Sequence, residues 1–262
     1  MLTSALPSRS GEPKWENVTS SATPPQWSTS VHWAKADILN PPTYHSLLAS
    51  ANAVVHSMGI LFEADYKGVL TGQVNPITGL QRAFSSTKQG TQNPLSADKD
   101  AALTPQEPDG QLTYEIMNRD SAVGLARAAS EAGAKSFAYI SAAAGAPVLP
   151  ERYITTKREA EEQISSKFVD VRPIFVRPGM LYDQSRKITV GLAGATAMGA
   201  MANSLTGGRL SGLMGAGGTK PLKADVVAEA VVEAVEDETQ KGVIEVPRIE
   251  TLANTAWRKG ML

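Results

Sequence analysis

From residue 31 onward, short runs rich in β-branched residues alternate with longer stretches of helical period. This rhythm is the sequence sign of βαβ units laid into a parallel sheet. The expected strands are Val31–Ala36, Ala53–Ser57, Ser136–Ser141, Val171–Arg177 and Gly242–Val246. The expected helices fall between them: Pro41–Ala51, opened by proline; Tyr114–Ala132, closed by Gly133; Ile154–Lys167; and Lys223–Glu236. At 262 residues, 42% of them hydrophobic, the chain is long enough for one large α/β domain with a full core.

Two stretches depart from the rhythm. Residues 63–111 are dominated by Gly, Pro, Ser, Thr and Asn without a lasting period and read as an irregular surface excursion. The first thirty residues carry Pro7, Pro13, Pro24 and Pro25 among serines and threonines, and read as a loop after a very short strand, Leu2–Leu6 at most. Residues 188–208 contain no charged side chain and approach the length of a bilayer span, but their Gly, Ala, Ser, Thr and Asn content argues against insertion. Close-packing helices beneath a substrate site, or contact with a membrane surface, are the readings left for this part of the segment 180–222. The N-terminus shows no long apolar run, and Glu12 and Glu16 interrupt an Arg- and Ser-rich transit pattern.

Composition narrows the chemistry. A net charge of −1 supplies no general field for nucleic acid or an anionic membrane, so no nucleic-acid partner is expected. The chain has no cysteine, which removes disulfides, thiolate metal sites and cysteine nucleophiles together. With only three scattered histidines, His32, His45 and His56, no metal is expected either.

Tyr153 and Lys157 stand four residues apart at the start of an expected helix, which puts both on one helical face. An ammonium beside a phenol favours phenolate and lowers its pKa towards a useful acid/base value, while the same lysine can bond a ribose hydroxyl. A solvated helix face carrying an ordinary Tyr–Lys pair is the competing reading. Ser141 ends the run Phe137–Ser141, twelve residues before Tyr153, at the carboxyl end of a parallel strand where α/β sheets bind ligands; it could equally cap the strand-to-loop turn. Pro178 and Gly179 close the next strand, either as an ordinary turn or as backbone brought close to a nicotinamide. His56, Ser57 and Gly59 lie at the end of Ala53–Ser57, with His56 either a ligand contact or a hydrogen-bonded core residue. Asn118 could face the same crevice or sit on an exposed helix face, and Asp37 could accept from an adenine amino group or cap a turn.

In order along the chain, these elements resemble an extended or atypical short-chain dehydrogenase/reductase, over residues 8–250. The strings His56–Glu63, Leu112–Asn118, Tyr153–Glu161 and Val176–Asp183 are similar to the fungal mitochondrial short-chain-dehydrogenase-like proteins of coenzyme Q (ubiquinone) biosynthesis, themselves akin to the nucleotide-binding accessory subunit of respiratory complex I. The resemblance implies a Rossmann-like, doubly wound parallel sheet and an NADP or NAD cofactor. It makes Tyr153 the general acid/base, Lys157 its partner, and Ser141 the group that polarises a substrate carbonyl. Arg9, Asp37, His56, Ser57, Gly59, Asn118, Lys157, Pro178 and Gly179 become the cofactor contacts. It also implies a location on the matrix side of the mitochondrial inner membrane and partners among the ubiquinone-synthesis proteins, with quinone intermediates or the membrane surface within reach. Extended members of this superfamily also run isomerase and epimerase chemistry on the same Tyr/Lys pair.

One departure from the family is large. Its members open with a strand, a Gly-x-x-Gly-x-x-Gly turn and a helix that hold the pyrophosphate, and no such unit occurs here. Ser8–Gly11 resembles the segment just after the family's second strand, where Arg9 would meet a 2′-phosphate and tilt the preference towards NADP. Roughly thirty residues thus correspond to nothing in this chain. The expected sheet is one without its first strand, Gly-rich turn and first helix, and weakened dinucleotide binding is expected with it.

Overall fold

The computed structural model describes residues 4–8, 15, 21–61, 94–95, 98, 100–105, 110, 112–145, 149–182, 201 and 219–261. Most of the 63–111 excursion, Arg9, and the small-residue stretch between Asp183 and Gly218 apart from Met201 lie outside the described residues. Its strands are β1 (Ser4–Ser8), β2 (Val31–Lys35), β3 (Ala53–His56), β4 (Ser136–Ile140), β5 (Arg172–Arg177), β6 (Leu181–Tyr182), β7 (Leu222–Lys223) and β8 (Gly242–Glu245). The helices are α1 (His45–Leu48), α2 (Ser121–Glu131), α3 (Arg152–Lys167), α4 (Ala224–Glu236) and α5 (Val246–Gly260).

Strands β3, β4, β5 and β8 form a parallel sheet in that order, with Val54 opposite Phe137, Ala138 opposite Ile174 and Val176 opposite Ile244. Side chains of a strand point alternately to opposite faces, so each face gathers its own core. Val54, Phe137, Tyr139 and Phe175 pack beneath Val123 and Ala126 of α2 and Ala160 and Ile164 of α3. On the other face, Ala138, Ile174, Val176 and Ile244 meet Val227 and Ala230 of α4 and Ile249 and Leu252 of α5. Helices on both faces of a parallel sheet make the doubly wound, Rossmann-like arrangement that the sequence led us to expect. Strands β1 and β2 pair in parallel with each other, and among the described residues no ladder joins them to β3.

Several boundaries move for local reasons. The expected helix Pro41–Ala51 breaks into a 3-10 turn, Pro41–Thr43, and the single turn α1, because Tyr44 leaves helical geometry with ψ near −5°. The expected short strand lies at Ser4–Ser8 instead of ending by Leu6. The expected helix from Tyr114 begins as a π-helical turn over Glu115–Asp120 before settling into α2. It stops where foreseen: Gly133 adopts φ +79°, and Ala134 N–H donates to Ala129 O, the six-to-one bond of a Schellman cap. Helix α5 was not foreseen, since it follows β8 without any turn residue between them.

Candidate functional site

The carboxyl ends of β3, β4 and β5 converge with the π-helical turn and the first half of α3. Tyr139, in the middle of an apolar strand, is fully buried and must place its hydroxyl. It donates to the Asn118 carbonyl oxygen at 2.6 Å. The Asn118 side chain is turned to the chain beyond β3, where its Oδ1 accepts from Ile60 N–H at 3.0 Å. Burial therefore excludes the exposed-face reading of Asn118. A Cβ on Gly59 would lie 2.9 Å from Asn118 Oδ1, so a larger residue there would displace the Asn118 amide, while Lys157 Nζ at 3.5 Å would be in ordinary contact.

His56 is almost wholly enclosed, its ring 5.4 Å from that of Tyr139. Ser121 Oγ donates its proton to Met117 O at 2.8 Å, which makes His56 Nε2 the donor in the 3.0 Å bond to Ser121 and leaves Nδ1 as a bare acceptor with no partner among the described residues. Burial, with Lys157 nearby, pushes the imidazole down to about 3, so it is neutral. His56 is thus a hydrogen-bonded core histidine on its Nε2 side. Ser57 is exposed just beyond it. Asp37 lies at the turn after β2, where its Oδ1 accepts from Leu39 N–H at 3.1 Å, the capping arrangement.

Tyr153 and Lys157 do share one face of α3. Lys157 is only 5% exposed, with Nζ 3.3 Å from Ile140 O, 3.5 Å from Tyr139 Oη and 5.8 Å from the centre of the Tyr153 ring. Tyr114 packs edge-on against Tyr153 at 5.9 Å and donates its own hydroxyl to Leu61 O. The expected lowering of the tyrosine pKa does not occur. Burial pushes the Tyr153 phenol above its usual value of 10.0, and the cation that opposes this is Arg158, because the Lys157 ammonium is directed to Tyr139 and Ile140 instead. The lysine itself is brought down to about 8, chiefly by burial.

Ser141 lies one residue beyond β4 and is buried, its N–H held by Val176 O at 2.8 Å. Ala143 N–H donates to Pro178 O at 2.8 Å, which ties the two strand-end turns together. At Gly179 a Cβ would stand 2.9 Å from Lys220 O, so close backbone approach requires glycine there. Three participants had not been singled out from the sequence: Tyr139, Arg158 and Glu161. The available signal for Tyr139 was a polar-tipped aromatic inside an otherwise apolar strand. Arg158 and Glu161 looked like members of a charged helix face, yet Glu161 is buried between Arg158 and Arg177. Among the described residues no group of His, Asp and Glu could hold a metal ion, and no helix is long and apolar enough to cross a membrane.

A parallel, doubly wound sheet with polar side chains gathered at its strand ends is the architecture of Rossmann-type dehydrogenases, and the chain has that fold. It superposes on a protein of Agrobacterium tumefaciens provisionally designated a gluconate dehydrogenase with a TM-score of 0.50 at 10% identity, over 86% of this chain and 79% of that one. The UDP-glucuronic acid 4-epimerase of Bacillus cereus, solved with NAD, is more distant in shape, at TM-score 0.45 and 14% identity over 83% of this chain and 61% of that one. In sequence the chain is similar to MIOREX complex component 2 of Saccharomyces cerevisiae, 37% identical over 174 residues, which is 62% of this chain. The match spans 58% of the yeast protein. No protein-family model matches.

Proposed function

We propose that the chain is a short-chain-dehydrogenase-like protein that binds a nicotinamide dinucleotide across the carboxyl ends of β3, β4 and β5 and acts in mitochondrial ubiquinone biosynthesis. The observation that carries the reading is the buried Lys157 ammonium beside the Tyr153 ring at the end of β4. The strand-end glycines and the lysine fit the nicotinamide–ribose half of such a cofactor; NADP is favoured over NAD on Arg9 alone, which the resemblance places near a 2′-phosphate. The site and the partners are read from the same resemblance, and similarity to a yeast complex component supports assembly with other proteins. When bound, the cofactor supplies or accepts a hydride at a carbonyl or carbinol carbon. Tyr153 gives the substrate oxygen its proton or takes it away, Ser141 donates a hydrogen bond to that oxygen, and Lys157 orients ribose hydroxyls. Titrating the purified protein with NADH and NADPH by fluorescence tests the first step, and binding of neither overturns it.

A non-catalytic subunit of a ubiquinone-synthesis or respiratory assembly is the second reading. The Tyr153 phenol, raised by burial, favours it. Genetic replacement separates the two. If Tyr153→Phe/Lys157→Met restores ubiquinone synthesis to a deletion strain as fully as the parent chain does, the protein acts by its surface and not by its chemistry.

A further inference from the structure

Arg158, the residue after Lys157, is half-buried and spreads its guanidinium over the loop that leaves β4. Its Nη1 donates to Ser141 Oγ at 3.0 Å and to Glu161 Oε1 at 2.8 Å. Its Nη2 donates to Ala142 O at 2.7 Å and Ala143 O at 3.0 Å. Four donor bonds leave the group no freedom to swing. Glu161, which fixes Arg158 from below, is itself held by Arg177, and Arg177 reaches Glu245 at 3.0 Å. The chain of charges thus runs across the ends of β4, β5 and β8 and anchors one turn. A planar fork can bridge a hydroxyl and two carbonyls in this way; an ammonium on a flexible stem cannot.

The consequence falls on Ser141. Its oxygen accepts a charge-assisted bond, and among the described residues its own O–H donates to nothing. A hydroxyl polarised from the oxygen side is a stronger donor from the hydrogen side. We propose that Arg158 is a positioning residue of this site: it holds the turn 141–143 and presents Ser141 as a hydrogen-bond donor, so the crevice selects ligands that offer an acceptor oxygen, such as a ketone or quinone carbonyl. The inference rests on the reading of Ser141 as the group that meets the substrate oxygen. Arg158 is also the cation that acts on the Tyr153 phenol, so one guanidinium serves both groups.

The absence of cysteine makes a clean test possible, because Ser141→Cys introduces the only thiol in the chain. Thiolate formation is followed by its ultraviolet absorbance in the full chain, which needs no reagent to enter the site. Burial at this position raises a thiol and the guanidinium lowers it, so the quantity read is the difference between the two backgrounds. In Ser141→Cys/Arg158→Gln the thiol should titrate at least about one unit higher, a tenfold fall in the acid constant. Equal titrations in the two backgrounds overturn the proposal. If Arg158→Gln does not fold by circular dichroism, Arg158→Lys serves in its place; a higher titration than with arginine is expected, and an unchanged one is equally fatal. A second readout uses reduced dinucleotide with an ortho-quinone as a carbonyl probe: Arg158→Lys should lower kcat about fivefold or more without altering KM for the dinucleotide, and an unchanged kcat overturns the proposal. Should the parent chain turn over no quinone while the thiol shift persists, the oxidoreductase reading fails and the role of Arg158 in setting position 141 stands.

Discussion

The two faces of the four-stranded sheet are built from different materials. Beneath α4 and α5 the buried contacts are Ala, Val, Leu and Ile almost throughout, with one buried carboxylate, Glu233, answered by Lys259. Beneath α2 and α3 the same strands bury His56 and Tyr139 against Asn118, Ser121, Thr156 and Lys157, every one of them nearly inaccessible. Buried polar groups cost free energy unless they are fully partnered, and a lysine in such a place is costly even then. Both faces carry an apolar core, and the one beneath α2 and α3 in addition holds charged and polar groups in fixed positions.

That contrast can be broken by measurement. The largest effect should come from the aliphatic face: Ile174→Ala removes a fully buried side chain from the middle of β5 and should cost about 2–5 kcal/mol in urea denaturation, with dinucleotide affinity of the folded protein unchanged. A cost below about 1 kcal/mol would mean that this face is not where cohesion resides.

The next effect belongs to the polar face and appears in acid. Because the folded protein holds His56 down to about 3 from an unfolded value near 6.5, the unfolded chain binds the extra proton between those limits. Stability contributed by the neutral imidazole is complete above the unfolded value and falls as pH drops through the window. The slope from this one group approaches about 1.4 kcal/mol per pH unit. His56→Phe should flatten the limb between pH 6 and pH 4 in chemical denaturation; a variant with the parent's acid profile would place the proton elsewhere.

The smallest effect sharpens the comparison by its sign. Lys157 is lowered from 10.5 to about 8, so the unfolded state binds more protons between these values and stability should rise with pH across them. Lys157→Met should remove that rise and, near neutral pH, leave the protein as stable as the parent or about 1 kcal/mol more so, while abolishing dinucleotide binding. A marked loss of stability would show that the ammonium's bonds to Ile140 and Tyr139 outweigh its burial.

Whatever depends on local period and chirality could be read without the structure. Alternation placed β2, β3, β4, β5 and β8 within a residue or two, and Gly133 ended its helix because a left-handed residue was needed there. Helix α5 escaped although Pro247 in its first turn, Ile249, Leu252 and Ala253 at helical spacing, and Arg258 and Lys259 in its last turn were all legible signals. It was hidden by starting at Val246, inside the expected strand Gly242–Val246.

The site divided along the same line. The four-residue spacing of Tyr153 and Lys157 guarantees a shared helical face whatever surrounds it, so the sequence alone determined that pairing. Where the lysine's ammonium goes is a matter of partners from distant parts of the chain. Tyr139 and Ile140 draw it to the end of β4, Glu161 and the carbonyls of Ala142 and Ala143 seat Arg158 on Ser141, and Asn118 closes over Gly59. Burial then raises the Tyr153 phenol that a neighbouring charge had been expected to lower. Spacing along a helix is fixed by covalent geometry, whereas desolvation and hydrogen-bond choice arise only when separate elements pack together. For that reason the sequence determined which residues meet on one face of α3, and the tertiary structure decided which of them carries the charge that the site feels.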